Sequence, residues 1–244
     1  MPLETRIAAA KIGKYATSES GDTLEIIERP HGGISIVLVD GQRSGKPAKA
    51  ISNLVTRKAI ALLAEGVRDG AAARAAHDYL YTYRGGRVSA TLNILSVDLD
   101  TGTVVISRNS HCPVWIVEDD ELCALDEPSD PVGIYARTKP IITELPLTSG
   151  MYVVAFTDGI MEAGRRYGES LNLPTLLRSL IETSDGSVRR FADSLLDAAL
   201  ALDRGRPNDD ISVVVLSVVP LEKERRTRRL SVTFPIPPLL TPSN

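Results

Sequence analysis

Apolar positions along this chain alternate between two periods, and the changes of period divide it into elements. Residues 6 to 29 read as one or two strands, with TLEIIE alternating after a break at Ser20-Gly21-Asp22. Pro30-His31-Gly32-Gly33 is a turn signal, with His31 read as a turn residue. The run ISIVLVD from Ile34 is the most buried-looking strand of the first half. A hairpin joining these strands would bring Asp22 and Asp40 towards one sheet edge. From Gly45 to Gly66 the spacing becomes three and four: Ile51, Leu54, Val55, Ala59, Leu62 and Leu63 predict an amphipathic helix. Gly66 and Asp69-Gly70 punctuate its end. Ala71 to Arg84 predict a second helix, with His77 on its surface, and Gly85-Gly86 breaks it.

Strands are then expected at Ser89 to Leu99, Thr103 to Arg108, Pro113 to Glu118, Glu121 to Leu125, Ile141 to Leu145 and Met151 to Thr157. Asp100-Thr101-Gly102 and Glu118-Asp119-Asp120 read as hairpin loops, which makes the pairings antiparallel. Helices are expected at about Leu173 to Glu182 and Val188 to Asp203, before a last buried strand, ISVVVLSVV. This order does not alternate as a doubly wound parallel sheet would. It fits an α+β fold of two antiparallel sheets with helix pairs outside them. The folded domain is expected at 5–220. Residues 221–244, basic and then proline-rich, read as a flexible tail or a partner-docking segment.

Composition narrows the function classes. With 43% hydrophobic and 24% charged residues, the 244-residue chain is an ordinary globular sequence with room for a sizeable core. A net charge of −3 gives no case for nucleic-acid or membrane affinity. No apolar run reaches the roughly 20 residues of a membrane span, and the first residues lack the pattern of a signal peptide. A cytoplasmic location is expected, with regulation coming from partners or the tail. Cys112 and Cys123 are too few for a thiolate cluster and read as two buried, reduced thiols.

The chain has four Asp-Gly pairs, at 40-41, 69-70, 158-159 and 185-186. Those at 69 and 185 read as helix-end punctuation. The other two directly follow VLV and VVAFT, and neither leads at once into a partner strand. An isolated pair of this kind is more often a hairpin turn than a metal ligand. Here Asp209-Asp210 before a buried strand and Gly21-Asp22 before TLEIIE repeat the placement. Carboxylates at strand ends beside a core are costly to desolvate, and several together repel. Divalent cations relieve both penalties. An all-oxygen donor set favours magnesium or manganese over zinc, and glycine at 41 lets a backbone carbonyl approach a cation closely.

VDGQRSGKPA, TDGIMEA and NDDISVVV, in this order and at these separations, resemble the PPM (type 2C) metal-dependent serine/threonine phosphatases. The nearest branch is the bacterial one that includes stage II sporulation protein E, RsbU and RsbX. SGD at 20–22 resembles its opening acidic motif, NSHCPVWIV at 109–117 its Asn-Ala-Gly-His-Pro segment, and SATLNILSVD before it also fits. The likeness covers nearly the whole expected domain and implies a four-layer α/β/β/α sandwich.

Carried over, the resemblance makes Asp40 a bridge between two divalent cations, Mn2+ or Mg2+, with Gly41 offering its carbonyl. Asp158 and Asp209 would bind the second ion, and Asp22 would sit near the pair. Asp210 would support them, and Glu162 would stand just behind the ligands. His111 matches the family's histidine and reads as a hydrogen-bonded structural residue between strands. The implied reaction is in-line attack of metal-activated water on a phosphoserine or phosphothreonine of a bacterial signalling protein, such as an anti-sigma-factor antagonist. No covalent phosphoenzyme is needed, and neither cysteine lies in a Cys-x5-Arg loop. The departure is Arg43, where the branch has glycine. It could strain the loop, point outward or bind phosphate. A pseudophosphatase that recognises a phosphoprotein without turnover is therefore the alternative; a two-metal nuclease fits the charge balance poorly.

Overall fold

In the strand Ile34–Gly41, Ile36 and Leu38 pack on one side, Val37 and Val39 on the other, and all four are buried. A strand covered on both faces has no polar side to show, so its sequence runs apolar without alternation. The last strand behaves alike: Val214 and Leu216 join one apolar cluster, Val213 and Val215 another. Such strands belong to inner layers.

The computed structural model describes residues 2–30, 32–118, 121–183, 185–221 and 227–235. Its two sheets each have five strands, and every pairing is antiparallel. The first sheet runs β2 (Asp22–Glu28), β3 (Ile34–Gly41), β4 (Ala90–Asp98), β5 (Thr103–Asn109), β8 (Ile141–Pro146). The second runs β1 (Leu3–Ile12), β10 (Ile211–Pro220), β9 (Tyr152–Phe156), β6 (Val114–Glu118), β7 (Glu121–Leu125). Ile36, Leu38, Leu95, Ile106, Val153 and Leu216 fill the space between them.

Helices α1 (Gly45–Ala64) and α2 (Asp69–Arg84) cover the outer face of the first sheet through Val55, Leu63, Ala76 and Leu80. A short α3 (Gly159–Glu162) follows β9, and α4 (Leu173–Thr183) and α5 (Val188–Leu202) cover the second sheet through Leu177, Phe191 and Leu195. Each fully buried Leu or Phe of these seams contributes about 1.5–3 kcal/mol. The architecture is the expected α+β, four-layer α/β/β/α sandwich.

Three side chains depart from expectation. Asp69 opens α2 rather than closing α1, and it is buried. Arg29 Nη1 donates to its Oδ2 at 2.7 Å, and Ser96 Oγ donates to its Oδ1. A carboxylate in a helix's first turn meets the positive end of the dipole. His77 is buried, not on the helix surface, because its Nδ1 accepts from the Gly133 N–H at 3.0 Å. Cys123 is exposed on the edge strand β7, whereas Cys112 is buried. His31, Asp119 and Asp120 lie outside the described residues, as do 222–226 and 236–244 of the expected tail. The described tail residues 227–235 are exposed and form no helix or strand, and Arg228 pairs with Glu28 at 2.7 Å.

Candidate metal centre

Sheet register places the first two acidic residues. Asp22, at the start of β2, lies directly opposite Asp40 near the end of β3. The parity of Ile36 and Leu38 directs Asp40 to the inter-sheet side, where the apolar filling gives way to solvent. Asp158 follows the end of β9, and Asp209 precedes β10, the strand beside it. Two sheets thus bring four carboxylates from four segments to one end of the sandwich.

Both glycines of the Asp-Gly pairs are required by close backbone packing. A Cβ at Gly41 would stand 2.1 Å from the Ala48 carbonyl oxygen in α1, and one at Gly159 would stand 2.3 Å from the Asp210 carbonyl oxygen. Neither glycine has a positive φ. The pairs are therefore points where chain crosses chain, not hairpin turns.

Asp22 ties the sheets together. Its Oδ2 accepts from Ser212 Oγ at 2.6 Å and from Thr157 Oγ1 at 2.9 Å, both on the opposite sheet's segments, while its buried Oδ1 has no hydrogen-bond partner among the described residues. Burial pushes its carboxyl up to about 6, against the pull of those two hydroxyls. Its backbone carbonyl accepts from Lys11 Nζ at 2.5 Å and Lys49 Nζ at 2.6 Å.

Asp40 carries the largest perturbation. Burial first, then the charges of Asp22, Asp158 and Asp209, push its carboxyl up to about 9. Asp158 is raised by burial and by Asp209; Asp209 is raised by burial, offset by the Asp210 N–H. These carboxylates oppose one another's ionisation, and Lys11, His111 and Lys14 offset that repulsion only in part.

Asp210 stands apart from this set. Its Oδ1 accepts from the Lys14 N–H at 2.9 Å and its Oδ2 from the Gly21 N–H at 2.8 Å, so it staples the β1–β2 connection to the start of β10. Both Glu162 oxygens accept from Arg165 Nη1 at 2.7 Å, beside the cleft rather than in it. His111 is not wedged between strands. Its side chain is 60% exposed, with Nε2 3.8 Å from Asp158 Oδ2. The turn between β5 and β6 lifts it onto the cleft wall.

The resulting cleft holds about 350 Å³ and is lined by Asp40, Asp158, Asp209, Arg43, His111 and Lys14, among others. Arg43 is exposed and has φ +78°, the left-handed region. A bulky residue held there costs about 1–3 kcal/mol. Thr157, Ser212 and Lys14 are the participants that sequence reasoning missed. Thr157 directly precedes Asp158, which is the one local signal for it. Ser212 sits inside an apolar strand, where a buried hydroxyl calls for a partner.

The residues fit hard divalent cations. The donors are all oxygen, the buried Asp22 Oδ1 makes no hydrogen bond within normal geometry among the described residues, and the cluster's raised carboxyls call for neutralisation. Among the described residues no group of three or more His, Cys, Asp or Glu side chains is drawn close enough to hold a metal ion by itself. Mg2+-type ions keep several waters and need only one or two carboxylates each, so an open arrangement is the one they use.

The family model for stage II sporulation protein E (SpoIIE) matches residues 30–219. The chain belongs to the SpoIIE family. It is 22% identical over 214 residues to stage II sporulation protein E of Priestia megaterium, covering 87% of this chain and 36% of that protein. The chain thus spans about a third of that relative's length. Among solved structures, the PP2C phosphatase domain of Bacillus subtilis SpoIIE with a fragment of its regulatory domain superposes with a TM-score of 0.77. It is 20% identical, over 89% of this chain and 64% of that one. The catalytic domain of the serine/threonine phosphatase PstP, in complex with two manganese ions, gives 0.69 at 19% identity, over 90% of this chain and all of that domain. The SpoIIE-family fold of this chain is therefore the PP2C, or PPM, phosphatase fold.

Proposed function

We propose that this chain is a metal-dependent protein phosphatase that hydrolyses phosphoserine or phosphothreonine on a bacterial signalling partner, for example an anti-sigma-factor antagonist. The observation that carries the reading is the meeting of Asp22, Asp40, Asp158 and Asp209 at one sandwich end, with Asp40 pushed up to about 9. Asp40, Asp158 and Asp209 would hold two divalent cations, Mn2+ or Mg2+, with the Gly41 carbonyl and Asp22 alongside. Once bound, such ions supply an activated water and neutralise phosphoryl charge.

The chain's own residues do the rest. Asp22, fixed by Ser212 and Thr157, keeps the two sheets in register at the cleft. Asp210 holds the β1–β2 connection, and with it Lys14, against the same end. The open cleft admits a phosphorylated side chain presented on a protein surface. The reading takes 5–220 as the phosphatase domain, 221–244 as a tail, and the cytoplasm as the site of action. Among the described residues no helix is long and apolar enough to cross a membrane.

The test is hydrolysis of p-nitrophenyl phosphate and of a phosphoserine peptide, with Mn2+ or Mg2+. Activity lost in Asp40→Ala and on adding EDTA supports the reading; activity that survives both sinks it. The second reading is a pseudophosphatase that binds a phosphoprotein without turnover. Arg43 favours it, because its backbone takes a conformation suited to glycine.

A further inference from the structure

Arg43 combines features shared by no other described residue. It is the one non-glycine residue of positive φ that lines the acidic cleft, and its side chain is exposed there. Its guanidinium makes no ion pair or hydrogen bond among the described residues, although Asp40, Asp158 and Asp209 line the same cleft. Glycine at this position would relax the backbone.

We propose that Arg43 is a phosphate ligand of this site. Its guanidinium closes on two non-bridging oxygens of the phosphoryl group lying over Asp40. The inference rests on the phosphatase reading for its substrate, a phosphomonoester dianion. A planar fork of N–H donors matches a pair of phosphoryl oxygens, which a lysine ammonium cannot do. Its lack of a protein partner leaves those donors available. Lys14 lines the same cleft and adds a second positive charge, with its backbone fixed by Asp210 at 2.9 Å. Gln42, Ser44, Ser89 and Thr91 supply a polar wall suited to a hydrated anion. On this inference the substitution of glycine by arginine is a gain in substrate affinity, not a lesion.

The experiment uses the full chain with Mn2+ and the variants Arg43→Ala, Arg43→Gly and Arg43→Lys. Inorganic phosphate binding is measured by calorimetry, p-nitrophenyl phosphate turnover by steady-state kinetics, and folding by thermal melting. Arg43→Ala and Arg43→Gly are expected to weaken phosphate binding about tenfold or more, and Arg43→Lys less than about fivefold. KM should rise with kcat nearly unchanged, because the contact exists before and during reaction. Arg43→Gly should melt above the wild type, which separates lost binding from lost folding. Unchanged phosphate affinity in Arg43→Ala overturns the inference. So does a gain in kcat/KM in Arg43→Gly, and so does a wild type that binds no phosphate with Mn2+. A wild type that binds phosphate through Arg43 yet never turns over supports the inference while the phosphatase reading fails.

Discussion

Ser212 Oγ donates to Asp22 Oδ2 at 2.6 Å across 190 residues of sequence, and the bond joins β10 of one sheet to β2 of the other. Thr157 Oγ1 donates to the same oxygen at 2.9 Å. The Asp22 carboxylate is thus anchored by neutral hydroxyls, while the Lys11 and Lys49 ammoniums hold its backbone carbonyl.

Removing both hydroxyls, in Thr157→Val with Ser212→Ala, leaves Asp22 buried with no donor to Oδ2. Each lost bond should cost about 1–3 kcal/mol, since a buried carboxylate oxygen is left unsatisfied. Urea denaturation should show a lower midpoint at unchanged slope. A double variant as stable as the wild type would show that the tie carries no energy.

Asp40→Asn should stabilise the metal-free protein by about 1–3 kcal/mol at pH 8. The folded state holds the Asp40 carboxyl at about 9, far above its unfolded value of 3.8. The stabilisation present below pH 4 is therefore lost progressively as pH rises towards 9. The asparagine variant lacks that slope. Chemical denaturation from pH 5 to pH 9 in EDTA should show the two stabilities diverging as pH rises.

Divalent cations should raise the melting temperature of the wild type. Binding at a hundred times the dissociation constant adds about 2.7 kcal/mol. For a domain of this size that is about 5–10 °C. The shift should vanish with EDTA and in Asp40→Asn. A shift that persists in Asp40→Asn places the cations elsewhere.

His77 predicts an acid limb. Its folded value lies below the ordinary histidine value because it is buried, and its Nδ1 is occupied by the Gly133 N–H. The unfolded chain then binds more protons below about pH 6.5, so stability falls as pH drops, by up to about 1.4 kcal/mol per pH unit. His77→Gln, whose amide oxygen can accept the same N–H, should flatten this limb between pH 6.5 and pH 5. Parallel wild-type and variant curves in that window would remove His77 as the cause.

Much of the fold could be read along the chain, because burial on one or two faces imposes a period. The expected helix at Leu173 to Glu182 is Leu173–Thr183, and the strand at Glu121 to Leu125 is found with those bounds. The hairpin expected to bring Asp22 and Asp40 together does so in direct register, since turn and pairing are local. Local pattern does not reveal the roles of Asp69 and His77, because a single polar residue in or beside a helix looks alike whether it meets water or a partner. Their partners, Arg29 and the Gly133 N–H, lie 40 and 56 residues away.

By itself the sequence determined the four long helices, most of the strands, the antiparallel two-sheet class, and which carboxylates end their strands, because these follow from local period and from Asp-Gly placement; the short α3 at Gly159–Glu162 carries no such period. Only the tertiary structure decided that Asp210 is a staple bonded to Lys14 and Gly21. It alone put His111 on the cleft wall and Arg43 at φ +78°. The reason is physical. Periodicity records which face of an element is dry, whereas a hydrogen-bond partner, a close backbone crossing or a raised carboxyl depends on segments that meet only when the two sheets stack.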